Sequence, residues 1–351
     1  MSQAKIFVFA ASPVRGPKGK GSNGASAVIF TLLLTLGCAE ETTKPRVEPE
    51  EHKPTVKLAL KFTPEDLTTY KVTTEIEQSV IWEGPETNRP KSFIGGHSGN
   101  RIEMTFSRRI QSVDNQGNAV AEITIKGLKY LAKVRDNIIL DFDSSREKDL
   151  NNPLSKLIGQ SYTIEITASG EVSKVIDVSS AQTAVGDASS GQRAARLLST
   201  DVIKEQHTIP ALPAAEKNPL RIGESWSNIK TFSFGPLGSK SYERIYELKE
   251  IKDADGRRAA IVEMSAVPSS EKAKELYKEQ VTGFFSQMFD NPVEIYTGQL
   301  KFDLTAGKVG QYFEEFRSEW VAVDPLPEKE NEELDTLRMG AIRLYRIERI
   351  D

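Results

Sequence analysis

"YKVTTEIEQSVIW", Tyr70 to Trp82, decides the fold. Tyr70, Val72, Thr74, Ile76, Gln78, Val80 and Trp82 share one parity; Lys71, Thr73, Glu75, Glu77 and Ser79 share the other. Side chains on a strand alternate between the two faces of a sheet. This stretch therefore predicts a strand with one packed face and one wet face. The same period recurs around it. Val56, Leu58, Leu60 and Phe62 alternate with polar neighbours, as do Ile102, Met104, Phe106 and Ile110. Tyr162, Ile164 and Ile166 follow, then Leu300, Phe302 and Leu304, and finally Tyr312, Phe316 and Trp320. Long strands twist, and a twisted sheet curls. The expected fold is all-β and mainly antiparallel, with a curved, partly open barrel-like sheet and one or two amphipathic helices on its apolar face.

The strand pattern is written twice. "SVDNQGNAVAEITI" (Ser112–Ile125) and "EIKDADGRRAAIVEM" (Glu250–Met264) both read as a strand end, an Asp/Gly turn and a returning strand. Later, "GQSYTIEITASGEVSKV" (Gly159–Val175) is echoed by "GQLKFDLTAGKVGQY" (Gly298–Tyr312). The order is the same in both halves, which implies an internal duplication. The expected organisation is a first β repeat over 56–185, a helical and Pro-rich connector over 186–219 and a second β repeat over 220–324. A polar break and a final strand fill 325–351; the charges in "AIRLYRIERI" suit an edge strand. In the connector, Ala194, Leu197, Leu198 and Val202 can share a helix face. A stronger helix is expected over 270–289, where Leu276, Tyr277, Phe284, Phe285 and Met288 follow helical spacing and Asn291-Pro292 stops it.

The N-terminus carries an address. Met1–Gly37 holds Lys5, Arg15, Lys18 and Lys20 and no acid, and ends in the apolar run ASAVIFTLLLTLG. That layout is a secretory signal, and the run is too short to span a bilayer. Cys38, the only cysteine of 351 residues, follows it. A tract with acids and prolines comes next, so residues 38–55 read as a disordered tether. At ~3.3–3.6 Å per residue such a tether reaches at most about 60 Å. Beyond residue 37 the chain holds fewer Lys and Arg than Asp and Glu, so it is mildly acidic and unsuited to binding nucleic acid.

Little in the chain reads as chemistry. One cysteine excludes internal disulfides and multi-cysteine metal motifs, and His52, His97 and His207 are isolated. "GGHSGN" (Gly95–Asn100) lacks the second glycine of a nucleophile elbow and suits a hairpin tip. "DFDSS" (Asp141–Ser145) and "DADG" (Asp253–Gly256) lack the acidic close of a calcium loop. No catalytic residue, metal ligand or cofactor site is expected, and a non-catalytic role is favoured. Trp82, Trp226 and Trp320 lie on apolar parities, and with the Phe284-Phe285 helix they could fill a core or line a groove under a helical lid.

Two resemblances add to this reading. Leu34-Thr35-Leu36-Gly37-Cys38 resembles the lipobox of bacterial lipoproteins, with Gly37 matching and Thr35 departing from the usual aliphatic residue. The resemblance implies lipidation at Cys38, and Ala39 after it implies the outer membrane, facing the periplasm. The order of "LKFTPEDLTTYKVTTEIEQ", "DFDSS", "LIGQSYTIEITASGEVSKV", "RIGESW" and "TGQLKFDLTAGKV" resembles a group of bacterial lipoproteins classed as a domain of unknown function. It implies an all-β envelope protein and brings no activity. In shape the expected fold is also similar to lipoprotein-carrier half-barrels. Two roles stay open: a membrane-anchored module binding an apolar or lipid-like ligand, or a scaffold for another envelope protein.

Overall fold

The computed structural model describes residues 55–186, 191–254, 256–269, 289–325 and 333–351. The expected signal, Cys38, the expected tether up to residue 54 and most of the expected helix over 270–289 lie outside the described residues.

A short strand β1 (Thr55–Val56) opens the described chain. It is followed by β2 (Leu67–Glu83), β3 (Gly96–Val113), β4 (Ala119–Val134), β5 (Asn137–Asp143), β6 (Ser161–Ile166) and β7 (Val172–Asp177). Three short helices come next: α1 (Ser179–Val185), α2 (Gln192–Leu197) and α3 (Thr200–His207). Then β8 (Leu220–Arg221) pairs with β1. The second half is a meander of β9 (Ser225–Ser233), β10 (Ser239–Ala254), β11 (Arg257–Pro268), β12 (Asp290–Asp303), β13 (Lys308–Val323) and β14 (Thr336–Arg349).

Twelve strands form one antiparallel sheet in the order β7-β6-β4-β3-β2-β14-β13-β12-β11-β10-β9, with β5 also on β4. The fold is all-β with few helices, as the alternation predicts. The sheet is open, because β7 and β9 end the order without pairing each other. Matching hairpins take matching registers: Ala121 faces Ile164 as Ala260 faces Phe302, and Ile123 faces Tyr162 as Val262 faces Leu300.

The final strand departs from expectation. β14 is central, pairing β13 on one side and β2 on the other, and it joins the two halves. Its charges bond across to its neighbours, Arg338 to Glu83 and Glu319 and Glu348 to Lys71, while Arg349 reaches past β13 to Asp303 on β12. Charge that deters pairing in an edge strand here finds opposite charge on adjacent strands. "GGHSGN" also departs from the hairpin-tip reading. Gly96 to Asn100 are the first residues of β3 and pair with β2.

Residues 57–62 alternate like a strand yet leave the sheet. Leu58 and Leu60 are fully buried. Their backbone is satisfied by scattered partners: Leu58 N–H donates to Asn218 Oδ1 (2.9 Å), Leu60 N–H to Ala168 O (2.8 Å) and Lys61 N–H to Gly307 O (2.9 Å). Ala168 lies in the β6–β7 turn and Gly307 in the β12–β13 turn, six strand positions apart in the sheet. A flat sheet would separate those turns by roughly 30 Å at ~4.8 Å per strand. Yet they bond adjacent residues, whose Cα atoms are about 3.8 Å apart. The sheet therefore curls around this segment, and Leu58 and Leu60 plug the core.

Candidate functional site

The inward parity of the sheet is apolar over most of its area. Polar residues interrupt it on five strands. Asn228 and Lys230 lie on β9 between Trp226 and Phe232; Arg244 lies on β10 between Tyr242 and Tyr246. Glu314 lies on β13 between Tyr312 and Phe316, Arg343 on β14 between Ala341 and Tyr345, and Thr74 on β2 follows Val72. Register places Tyr345 opposite both Glu314 and Thr74, and Arg343 opposite both Phe316 and Ile76. The interruptions thus form a band across the inner face.

Two structures come from this band. The first is a buried network. Arg244 and Glu314 have side chains only 7% and 13% exposed, and Arg244 Nη1 donates to Glu314 Oε2 at 2.9 Å. Tyr296 and Tyr312 hydroxyls donate to the same oxygen, each at 2.9 Å, and Arg244 Nε donates to Asn228 Oδ1 at 2.7 Å. Burial, reinforced by Glu314, holds both tyrosine hydroxyls above their usual range and keeps them protonated donors. Burial works against the Arg244 charge, but Tyr246 and Glu314 outweigh it and keep the guanidinium protonated. Three donors share one Glu314 oxygen and Arg244 also holds Asn228, so this network reads as support for what surrounds it.

The second is a groove of about 240 Å³ beside the network. Its floor is the inner face of β2, β3, β14, β13, β12 and β9, and its cover is α2 and α3. The cover is pinned. Tyr345 Oη donates to the Gln206 carbonyl at 2.9 Å, and His207 Nε2 meets Tyr162 Oη at 2.6 Å with the His207 ring edge-on to Phe106. Burial, then the positive charge of Arg108, lowers the His207 imidazole to about 3, so it is neutral and shares one hydrogen bond with the Tyr162 hydroxyl. Ile76, Ile102, Leu197, Val202, Phe232 and Phe316 give the groove an apolar wall. Arg343 stands at its floor, with its guanidinium 5.0 Å from the Phe232 ring centre and Nη2 donating to the Ser233 carbonyl at 2.9 Å.

Of the residues expected to bind a ligand, the three tryptophans lie away from the groove. Leu276, Tyr277, Phe284, Phe285 and Met288 lie outside the described residues. Trp82, Trp226 and Trp320 do not line the groove. Trp82 packs on Phe93, Trp226 stacks on Tyr246 at 5.9 Å, and Trp320 packs on Phe234 at 4.9 Å. Among the described residues the groove is covered by the two short helices of the connector. Apolar parity alone finds aromatic packing; the groove is marked by polar residues on that parity, and "AIRLYRI" carried the signal in Arg343. The other singled-out groups have local roles. Asp141 pairs with Arg146, Asp143 accepts from Ser145 and Lys129, and Ser98 Oγ accepts from the Arg135 N–H.

Residues 116–288 match the model of "Family of unknown function (DUF6263)". The expected resemblance to a group of unknown function holds over those residues, and the match carries no lipoprotein assignment. No curated protein matches the chain. Among solved structures the chain is similar to lipovitellin, described with its lipid–protein interactions, at 10% identity and a TM-score of 0.39. That similarity covers 83% of this chain and 26% of lipovitellin's, so this chain spans about a quarter of that protein.

Proposed function

We propose that this chain is a lipid-anchored, non-catalytic binding module of the bacterial cell envelope, and that it holds a lipid-like ligand in the groove under α2 and α3. One observation carries the reading: a groove with an apolar wall under a pinned helical cover, on the inner face of a curled sheet. Concave, mostly apolar sites with a few placed polar groups are the common form of small-ligand sites. The anchor rests on the sequence around Cys38, and the acidic chain leaves no role for nucleic acid.

Native mass spectrometry of gently extracted protein tests the groove. The expected result is a co-purifying mass that is released by solvent and lost in Val202→Trp, which fills the groove from its half-buried wall, while the circular dichroism of a β protein is retained. A ligand retained at full occupancy in that variant would remove the groove from the account. No ligand from either protein would favour the scaffold role. The anchor has its own test. Cys38→Ser should move the protein from the membrane to the soluble fraction of the cell with its melting temperature unchanged, and a variant that stayed membrane-bound would refute lipidation.

A further inference from the structure

The charges around the groove do not balance. Its three acids each hold a cation: Glu75 pairs with Arg101 at 3.2 Å, Glu205 with Lys230 at 3.0 Å, and Glu314 with Arg244 at 2.9 Å. Its other cations are Arg193 and Arg196 on α2 and Arg343 on β14, and among the described residues none of these three meets a carboxylate. The first two are exposed, where an unpaired arginine is ordinary. Arg343 is different. It occupies an inward parity, half-buried against Phe232 and Phe234, and uses one of its five N–H donors on the Ser233 carbonyl. Burial depresses its basicity, and the negative charge of Glu205, which touches Lys230 and not Arg343, offsets this only in part. A cation taken out of water without a counter-ion is destabilising, and a protein retains one where something else supplies the charge.

We infer that the groove selects an amphiphile with a single anionic head, carboxylate or monophosphate, on one apolar chain, with the head on the Arg343 guanidinium. This rests on the groove-binding reading above and names its ligand class. The guanidinium fork matches either head by paired hydrogen bonds. The chain then lies against Ile76, Ile102, Leu197 and Phe316. Arg193 and Arg196 raise the anion concentration at the entrance. The groove, at about 240 Å³, is below the ~300–1,000 Å³ usual for drug-sized ligands, so it suits one chain and not two.

Calorimetric titration of the purified full chain with four probes tests this: dodecanoate, dodecyl phosphate, uncharged glycerol monododecanoate, and inorganic phosphate. The expected order is dodecanoate and dodecyl phosphate together, about tenfold or more tighter than the uncharged ester, with no measurable binding of inorganic phosphate. Arg343→Met should bring the anionic probes down to the affinity of the ester and leave the ester unchanged. If that variant melts below the working temperature, the Arg193→Gln/Arg196→Gln double variant on exposed positions serves, with an expected several-fold loss for the anionic probes alone and a flatter salt dependence. Equal affinity for charged and uncharged probes in the wild type, or a preference untouched by these variants, would overturn the head-group assignment while the groove reading stands. Inorganic phosphate binding as tightly as dodecyl phosphate would replace the amphiphile with a free anion. Failure of every probe to bind would overturn both.

Discussion

Glu314 is the residue on which the inner face turns, because three donors converge on one of its oxygens. Removing its charge leaves Arg244 buried and unpaired. Glu314→Gln should therefore lower the unfolding free energy by about 3–5 kcal/mol, measured by urea titration. The paired change Arg244→Met with Glu314→Leu should recover only part of that loss, because it removes both buried charges but leaves the Tyr296 and Tyr312 hydroxyls and Asn228 Oδ1 without these partners. His207 sets a pH dependence. Its folded pKa is lowered to about 3 by burial, against an unfolded value near 6.5. Above about pH 6.5 neither state takes the proton and the stability is complete. As pH falls from there toward 3 the unfolded chain takes a proton that the folded chain refuses, so stability falls, by at most about 1.4 kcal/mol per pH unit. Comparing unfolding at pH 7 and pH 5 checks this. His207→Gln, which keeps a hydrogen-bond partner for Tyr162, should show a smaller drop between the two than the wild type.

The elements differ in how far the sequence reveals them. Strands as long as β2 and β3 have the alternation written into them, and the Asp/Gly hairpin turns were legible for the same local reason. Pairing order was not legible. "AIRLYRIERI" has the charge of an edge strand, and only its pairing with β13 and β2, with Glu348 on Lys71, makes it a central one. Residues 57–62 show the converse, since their alternation is that of a strand but their hydrogen bonds go to two turns and a side chain. The helix face expected from Ala194, Leu197, Leu198 and Val202 falls on α2 and α3, but with only 6 and 8 residues they form two short helices instead of one. The two turns that grip residues 60 and 61 make a test at this scale. Gly170 has φ +82°, and a methyl there would come within 2.8 Å of Leu212 Cδ1; Gly307 has φ +64°, and a methyl there would enter the Lys61 side chain. Gly256 has φ +73° with open space around it. All three alanine variants meet the left-handed backbone cost of roughly 1–2 kcal/mol, and the first two should lose visibly more than Gly256→Ala in thermal unfolding. Equal losses at all three would mean that the Gly307 turn does not close on Lys61 and that the Gly170 turn does not pack on Leu212.

For the molecule as a whole, curling and function are one argument. The plug at Leu58 and Leu60 bends the sheet, the bend gives it an inner face, and β14 carries Arg343 across the middle of that face between both halves. The connector helices then close over a place where apolar wall and unpaired cation meet. The alternating pattern foretold the face and the helical cover in kind. The fit of the two short connector helices depends on Tyr345 and Tyr162, partners far away in sequence that no local spacing reveals. Hydrogen–deuterium exchange of the full chain with and without saturating dodecanoate tests the central claim most directly. The account predicts slowed exchange in α2, α3 and the middle of β14, with β7 and β11, which do not line the groove, unchanged. Bound dodecanoate that slowed exchange elsewhere and left α2 and α3 untouched would contradict it.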